Sequence, residues 1–354
     1  MKIIRILLFP ISLLYGLIVL VRNKLYDKGI LKSTGFNMPI ISVGNLVMGG
    51  TGKTPHIEYL IRLLQLEFKI ATLSRGYGRK TKGFILSDSS ATAKIIGDEP
   101  AQFKKNFDSL IVAVDEKRVR GVKKLTELFS DLQVVLLDDA FQHRAIKPGL
   151  SILLSDYNKL YVNDYMVPSG ALREFKSGAA RANIIIITKC PEMLLPIERK
   201  QIVEAIQPLA FQQIYFSYIT YGDFIPMNLN ASPLSKEFYF DRDYSILLLT
   251  GIANTGSLVY YLKNKVKHII HEKFPDHHVY TKKDIEIIKE KFNSIAAENK
   301  IIVTTEKDAM RLKDIEFAAI LEQVPLFYIP IEIDFHNKDK EEFNKQLLDY
   351  VRTN

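Results

Sequence analysis

The sequence of 354 residues contains a single cysteine, no tryptophan and no low-complexity stretch. With Cys190 alone, an intramolecular disulfide and any cysteine-based zinc site are excluded. Because Cys190 follows the apolar run 183–189, we interpret it as a buried small hydrophobic residue rather than a nucleophile. No stripe of basic residues runs along the body of the chain, so we expect no nucleic-acid partner.

Composition and charge place the chain among globular proteins of more than one domain. Hydrophobic residues make up 47% of the sequence and charged residues 25%, which excludes global disorder. The length is comfortable for two domains. The net charge is +8, but residues 1–35 alone carry six lysines and arginines against one acid, Asp27. The rest of the chain is therefore only mildly basic.

Long hydrophobic runs are absent except for one of 16 residues, Ile6–Val21, between Arg5 and Arg22. As a helix it spans roughly 24 Å, which is short for a hydrocarbon core of about 30 Å. The polar residues 22–24 replace the small residues of a cleavage site, so we expect the segment to be retained. An interfacial or shallow anchor, a true span and a core helix of a soluble domain all remain open. The flanking cations favour an anchor in residues 1–35 that contacts an anionic leaflet.

Residues 36–210 alternate apolar runs of strand length with amphipathic segments of helix length. This alternation predicts a parallel sheet covered by helices on both faces. The predicted strands are Pro39–Val43, Lys69–Leu73, Ser109–Val114, Gln133–Leu137, Leu150–Leu154 and Asn183–Ile187. The predicted helices are Thr54–Leu66, Glu99–Phe107 and Glu116–Phe129.

A second, smaller α/β domain is predicted for residues 241–354. Residues 211–240 form the predicted linker, which begins with a strand over Phe211–Thr220 that leaves the first domain. The predicted strands of the smaller domain are Ser245–Leu249, Ile301–Thr304 and Leu326–Ile329, and its helices lie near Ser257–Lys265, Lys283–Ser294 and Lys340–Val351.

The strongest motif is Gly49-Gly-Thr-Gly-Lys-Thr54, which lies between the first predicted strand and the first predicted helix. This is the context of a phosphate-binding loop, in which backbone N–H groups and the helix N-terminus face phosphate oxygens. Lys53 would reach the β- and γ-phosphates and Thr54 would ligate Mg²⁺. The alternative is a glycine-rich turn that happens to end in Gly-Lys-Thr. The predicted nucleotide-binding residues are Val47, Met48, Gly49, Gly50, Thr51, Gly52, Lys53 and Thr54, with Val47 standing where the full pattern has its first glycine.

Two acidic motifs accompany this loop. Asp138 and Asp139 end an apolar run, and one of them is expected to hold Mg²⁺; the alternative is a pair of solvated acids. Asp98 and Glu99 open a predicted helix at Gly97-Asp-Glu-Pro100. Either Asp98 is a helix cap, or one of the two carboxylates accepts a proton from an attacking hydroxyl; the sequence leaves both open.

Three further segments carry polar groups with weaker signals. Two basic loops, 74–79 and 170–174, suit anionic ligands but also suit a solvated surface. The segment 274–278 contains Asp276 and His277, and as an isolated motif it favours a solvated loop.

Taken together, the motifs resemble those of the lipid A 4′-kinases, also called tetraacyldisaccharide 4′-kinases. The resemblance covers about nine-tenths of the chain in order. Its motifs are Phe9-Pro10, Leu14–Gly16, Arg22-Asn23, Tyr26, Gly44–Leu46, Gly49–Pro55, Ser74–Gly78, Gly97–Pro100, Asp138-Asp139, Phe141–Arg144, Gly170, Leu172–Glu174, Thr250–Asn254, Asp276-His277 and Thr305–Ala309. Two positions depart from the family pattern: Ala140 stands where glycine is expected and Thr255 where proline is expected.

The resemblance implies an α/β protein, with a P-loop NTPase-like α/β/α sandwich, a second, smaller α/β/α domain and an N-terminal membrane-associated helix. It implies ATP- and Mg²⁺-dependent phosphorylation of the 4′-hydroxyl of a tetraacylated glucosamine disaccharide 1-phosphate at the cytoplasmic face of the bacterial inner membrane. The lipid is the expected partner, and we expect no obligate protein partner.

The resemblance also implies roles for single residues. Asp98 corresponds to the catalytic base, supported by His277 and Asp276. The implied metal ligands are Thr54, Asp138, Asp139 and Glu174. The expected substrate or phosphate contacts are Asn45, Arg75, Tyr77, Glu99, Gln142 and Arg173.

Two other function classes compete with this interpretation. One is a membrane-associated P-loop ATPase that acts as a switch for a protein partner. Related proteins of that kind have a lysine just before the glycine loop, where this chain has Met48, which counts against it. The other is a non-catalytic, membrane-tethered nucleotide-binding scaffold. The acids that follow the strand ends argue against it, because a pure binder needs fewer of them.

Overall fold

The structure is a computed structural model that describes residues 2–88, 91–252, 255–276, 278–313 and 318–354. Its chain divides into two units, residues 1–219 with 333–354 and residues 220–332. Within the described ranges the strands are β1 (Ile40–Asn45), β2 (Ile70–Ser74), β3 (Ile85–Leu86), β4 (Ile111–Val114), β5 (Val134–Asp138), β6 (Leu150–Asp156), β7 (Ile184–Cys190), β8 (Gln213–Tyr221), β9 (Ile225–Pro226), β10 (Ser245–Thr250), β11 (His268–Lys273), β12 (Lys300–Thr305), β13 (Leu326–Ile329) and β14 (Ile331–Phe335).

The α-helices of the same ranges are α1 (Lys2–Asp27), α2 (Lys53–Leu64), α3 (Ala93–Ile96), α4 (Asp98–Asn106), α5 (Arg118–Leu128), α6 (Pro196–Ile206), α7 (Lys236–Phe240), α8 (Gly256–Lys263), α9 (Lys282–Ser294), α10 (Glu306–Lys313) and α11 (Asp339–Thr353). Short 3₁₀ turns lie at Tyr161–Asn163, Lys176–Arg181 and Ala318–Gln323.

The larger unit is built on a nine-stranded sheet of the described residues, in the order β14-β8-β7-β6-β1-β5-β2-β4-β3. From β8 through β4 the neighbouring strands pair in parallel. Helices cover both faces because the apolar strand residues point alternately to each side. Val43 packs with α2, α4 and α11 on one face, whereas Ile40 packs with α5 on the other. The predicted doubly covered parallel sheet is confirmed.

The smaller unit contains a five-stranded sheet of the described residues in the order β11-β10-β12-β13-β9. Only β9 is antiparallel to its neighbour. The apolar sides of β10 and β12 pack with Ile285, Ile288 and Phe292 of α9. A second α/β unit is therefore present, as the sequence predicts.

The C-terminal segment departs from the predicted domain boundaries. The sequence places residues 241–354 in the smaller domain, but residues 333–354 belong to the larger unit. Strand β14 lies beside β8 in the nine-stranded sheet. Phe335, Phe343, Leu347 and Val351 are buried in the core beside α2. The amphipathic helix was predicted from a local pattern, whereas its packing partner is set by tertiary contacts.

Helix α1 extends beyond the apolar run on which it was predicted. It covers 26 residues, Lys2–Asp27, and the segment Leu7–Asp27 is long and apolar enough to cross a membrane. Only 17% of its apolar window is buried by protein. The large side chains of Leu7, Leu14 and Ile18 are exposed. This exposure contradicts the interpretation as a core helix of a soluble domain.

Cys190 ends β7 in the interior, as predicted. Burial raises the pKa of its thiol to about 12. At pH 8 the folded protein should therefore react with a thiol reagent on the order of a thousandfold more slowly than the urea-unfolded chain, because the thiolate is the reactive form. Equal rates in the folded and unfolded states, measured with Ellman's reagent, would contradict this placement.

Candidate active site

The predicted phosphate loop lies at the edge of the parallel sheet formed by the carboxyl ends of its strands. Strands β1, β2 and β5 are neighbours and parallel, so their carboxyl ends share one edge of the sheet. The glycine loop follows β1, Arg75 follows β2, and Asp138 ends β5. Ligands of open α/β sheets bind at this edge.

Side chains beneath the glycine loop hold its shape. Gly49 and Gly52 have positive φ angles of 124° and 85°, which favour glycine over residues with a side chain. Asn45 donates from Nδ2 to Thr51 Oγ1 at 2.8 Å, and Thr188 donates from Oγ1 to the carbonyl of Thr51 at 2.9 Å. Asn45 is fully buried. The structure therefore places Asn45 as a support of the loop, whereas the sequence placed it among the substrate contacts.

His56, which sequence reasoning missed, supports the same loop from the first turn of α2. Its Nδ1 lies 2.7 Å from the carbonyl of Gly52 and its Nε2 lies 3.0 Å from Ser217 Oγ. The carbonyl can only accept, so Nδ1 carries the proton and Nε2 accepts from the hydroxyl. Burial lowers the pKa of His56 to about 4, so the ring is neutral at pH 7. Its position next to Lys-Thr-Pro at the helix start was the available signal.

Asp139 lies between two cationic side chains, Lys53 and Arg173, both of which could bind a nucleotide phosphate. Lys53 Nζ is 3.6 Å from Asp139 Oδ1, and Arg173 Nη1 donates to both carboxylate oxygens at 3.0 Å. Asp139 has a left-handed φ of 46°, which turns the chain sharply after β5. The structure thus brings together Lys53, Asp139 and Arg173, three residues that the sequence named separately.

Asp138 has the features of a cation ligand. Burial, followed by the carboxylates of Asp139 and Glu99, raises its pKa to about 7, while Lys53 and Arg118 act in the opposite direction. Its Oδ1 is buried and has no hydrogen-bond partner among the described residues. An unpaired buried carboxylate oxygen is costly without a counter-charge, and carboxylate oxygen is the protein ligand that Mg²⁺ prefers.

No cluster of three or more metal-ligating side chains is present in the described part of the chain. A Mg²⁺ ion at Asp138 would therefore take most of its remaining ligands from phosphate oxygens and water. This is the usual coordination of Mg²⁺ in nucleotide sites, where the protein supplies one or two groups.

Arg118 is a buried cation of this site that sequence reasoning missed. Its side chain is 2% exposed. Nη1 donates to the Asp115 carbonyl at 2.8 Å and Nη2 to the Asp138 carbonyl at 3.3 Å. Burial lowers the pKa of Arg118 to about 10, so it stays positive at pH 7. The available signal was its place just after β4, at the same edge of the sheet.

Asp98 is the first residue of α4, and Gly97 occupies the N-cap position without a side-chain cap bond. The interpretation of Asp98 as the helix cap is therefore wrong. The Asp98 side chain is exposed, and Glu99 is close enough to raise the pKa of Asp138. Glu99, at the start of α4, is thus within electrostatic range of Asp138.

The loop after β2 packs against Gly97. A Cβ atom at Gly97 would lie 2.8 Å from the Tyr77 carbonyl, so glycine permits this close approach. Arg75 is exposed and Tyr77 is 85% exposed. Both side chains are consequently accessible to a ligand.

Glu174 is fully buried and its carboxylate is engaged by protein groups. Arg181 Nη2 donates to its two oxygens at 2.7 and 2.8 Å, Gln142 to Oε1 at 3.1 Å and Asn23 to Oε2 at 2.9 Å. The sequence named Glu174 as a metal ligand, but these contacts favour a structural role instead.

The remaining predicted catalytic residues belong to the smaller unit. Asp276 lies exposed in the turn after β11, and His277 lies outside the described residues. The neighbouring His278 is 3.0 Å from Asp284 Oδ2 and stacks on Phe274. Asp308 fastens another loop of this unit by accepting from the Gly251 amide at 2.8 Å.

A glycine loop at the head of a helix, with paired carboxylates at the end of the adjoining strand, defines the larger unit as a P-loop nucleotide-binding unit. The family model for tetraacyldisaccharide-1-P 4′-kinase matches residues 4–352. The chain belongs to this family, and the resemblance seen in its motifs is confirmed.

Relatives match the chain along its whole length. It is 45% identical to the tetraacyldisaccharide 4′-kinase of Flavobacterium johnsoniae over 100% of this chain and 99% of that protein. It is 43% identical to the protein of the same name from Phocaeicola vulgatus over 98% and 95%. The crystal structure of LpxK from Aquifex aeolicus in complex with ATP superposes with a TM-score of 0.73 at 28% identity, covering 98% of this chain and 99% of that one.

Proposed function

We propose that the chain is an ATP-dependent kinase that transfers a phosphoryl group to the 4′-hydroxyl of a tetraacylated glucosamine disaccharide 1-phosphate. The observation that carries this proposal is the full-length match to kinases of that name, in a chain whose phosphate loop faces two strand-end carboxylates. A protein switch transfers the phosphoryl group only to water, and no comparison favours that alternative.

The phosphate loop would bind ATP through its backbone N–H groups and Lys53. Thr54 and Asp138 would hold Mg²⁺, with Asp139 close by; when bound, the ion neutralises charge on the β- and γ-phosphates. The unpartnered Asp138 Oδ1 supports Asp138 over Asp139 as the direct ligand, because Asp139 is already paired with Lys53 and Arg173.

Asp98 would accept the proton of the 4′-hydroxyl as that oxygen attacks the γ-phosphorus. Its exposed position at the start of α4, free of a capping role, supports this assignment. His277 would hold the charge of the base or orient it, and Asp276 would orient the histidine. Arg75, Tyr77 and Glu99 would contact the acceptor or its phosphate.

The competing classes differ in where the terminal phosphate goes. Purified protein incubated with γ-labelled ATP, Mg²⁺ and a lipid A disaccharide 1-phosphate should place the label on the lipid. Label found only in inorganic phosphate, at a rate stimulated by another protein, would support the switch instead.

The helix α1 would attach the enzyme to the cytoplasmic face of the inner membrane, where its lipid substrate lies. Its exposed apolar side chains, with Arg22 and Lys24 near its C-terminal end, suit an anionic leaflet. An acylated substrate needs no protein partner to deliver it to an enzyme that is already at the membrane surface.

Deletion of residues 1–21 should release the protein from membranes at least partly, while ATP binding becomes weaker but is not abolished. The deleted segment carries the exposed apolar residues, whereas the phosphate loop lies in the body of the larger unit. Sedimentation with vesicles of phosphatidylethanolamine and phosphatidylglycerol measures the release. Full sedimentation of the truncated protein would show that another surface contacts the membrane.

A further inference from the structure

Helix α1 is docked on a loop of the larger unit, residues 169–175, which we call the docking loop. Ser12 Oγ donates to Ser169 Oγ at 2.9 Å and accepts from the Ser169 amide at 3.0 Å. Gly16 lies against the ring of Phe175, where an added Cβ would be 2.7 Å from Cζ. The buried side of α1 is thus fitted to this loop, although its opposite side is exposed.

The docking loop is also paired with the phosphate loop. The amide of Met48 donates to the Ala171 carbonyl at 2.6 Å, and the amide of Arg173 donates to the Leu46 carbonyl at 2.8 Å. Val47 and Leu172 form an antiparallel bridge between the two segments. A displacement of the docking loop would therefore move the backbone of the phosphate loop and the Arg173 side chain that binds Asp139.

Asn23 completes this connection through side chains. Its Nδ2 donates to Glu174 Oε2 at 2.9 Å, and the other oxygen of Glu174 accepts from Gln142 at 3.1 Å. The same Gln142 amide donates to the Asn45 carbonyl at 2.8 Å, at the end of β1. Within the described ranges, Arg181 is the cation that pairs with Glu174, at 2.7 Å, and Arg22 donates to Asn23 Oδ1 at 3.2 Å.

We propose that Asn23 is a positioning residue of the kinase site. Through Glu174 and Gln142, Asn23 positions the end of β1 and the Arg173 side chain of the docking loop. Helix α1 is then part of the phosphate site as well as a membrane attachment, so its docking is coupled to nucleotide binding. This inference rests on the proposed function only where its tests measure turnover; the measurements of nucleotide affinity do not depend on the identity of the lipid substrate.

The first test compares Asn23→Ala with Asn37→Ala, which removes the same amide from an exposed position of the same unit. Asn23→Ala should weaken the Mg²⁺-dependent affinity for a fluorescent ATP analogue and lower kcat, each by about tenfold or more, the fold-change expected for the loss of one hydrogen bond to a charged group. Vesicle binding and KM for the lipid should stay at wild-type values. Asn37→Ala should match wild type in all four measurements.

A second substitution separates hydrogen bonding from packing. Asn23→Asp keeps the size of the side chain but replaces the donor with a carboxylate opposite Glu174. We expect it to lose at least as much nucleotide affinity as Asn23→Ala. Wild-type affinity in Asn23→Asp would show that Asn23 only fills space and would overturn the proposal.

A third test displaces α1 without touching Asn23. Gly16→Leu should collide with the Phe175 ring and push the helix from the docking loop, while adding apolar surface that keeps it on the membrane. Nucleotide affinity and kcat should fall, and Gly16→Leu with Phe175→Ala should recover most of the loss because the larger side chain fills the space of the ring. A thermal unfolding temperature of Gly16→Leu near that of wild type would separate displacement of the helix from a general folding defect.

Two outcomes distinguish this inference from the proposed function. If Asn23→Ala and Gly16→Leu both retain nucleotide affinity and kcat within about threefold of wild type, the coupling is absent while the kinase assignment stands. If the wild-type protein transfers no phosphate to lipid, the proposed function fails; the loss of ATP-analogue binding in Asn23→Ala, but not in Asn37→Ala, would still support the coupling.

Discussion

Replacing Lys53 with alanine should remove most of the kinase activity. Lys53 begins α2 directly after the glycine loop, and its ammonium lies 3.6 Å from Asp139 at the carboxyl edge of the sheet. In a phosphate loop this lysine neutralises charge on the transferring phosphoryl group. We expect a fall in kcat of roughly 10²–10³, the range for loss of one group that stabilises transition-state charge.

The control for Lys53→Ala is Lys123→Ala, which removes an exposed lysine from α5. The comparison is made at saturating ATP, so that weaker nucleotide binding does not account for the difference. Near wild-type turnover of Lys53→Ala under these conditions would contradict the assignment of the phosphate loop.

Asp98→Asn should lower turnover by roughly 10²–10⁴, the usual contribution of a positioned general base. The amide keeps the size of the carboxylate but cannot accept the proton of the sugar hydroxyl. Because Gly97 holds the N-cap position, the substitution removes no helix cap, and the unfolding temperature should stay near that of wild type. ATP affinity should also change little, because the base acts on the acceptor side.

The control for this prediction is Asp108→Asn, an exposed aspartate after the same helix. His277→Ala should lower turnover too. If Asp98 and His277 act as a unit, the double variant should cost less free energy than the sum of the two single variants. A folded Asp98→Asn protein with turnover within about threefold of wild type would exclude Asp98 as the base. A threefold change in rate corresponds to less free energy than one ordinary hydrogen bond contributes. Asp276 or Asp139 would then be the next candidate.

Much of the fold could be predicted because its signals are local. The central strands are continuous apolar runs, and the glycine loop has its own composition. Strand β11, His268–Lys273, was missed because it is an edge strand with polar residues and without a buried run. The return of β14 and α11 to the larger unit was also missed, because the amphipathic pattern of α11 identifies a helix but not the core against which it packs.

The residues of the candidate site also fall into those that a local motif predicts and those that depend on tertiary contacts. Lys53, Asp138 and Asp139 were predicted because each lies within a motif at a strand end. The role of Glu174 was harder to predict, because its partner Asn23 is 151 residues away in sequence. Arg118 was missed because its burial beside Asp138 follows from the order β5-β2-β4 in the sheet, which the sequence alone does not fix.

The central claim is that the chain phosphorylates one hydroxyl of a lipid disaccharide. The most direct measurement is the position of the new phosphate, determined by ¹H–³¹P correlation NMR on the lipid recovered after reaction with ATP and Mg²⁺. The account predicts a new phosphomonoester correlated with the proton at carbon 4 of the distal glucosamine, with the original 1-phosphate intact. A new phosphate on any other oxygen, or lipid recovered unchanged while ATP is consumed, would contradict it.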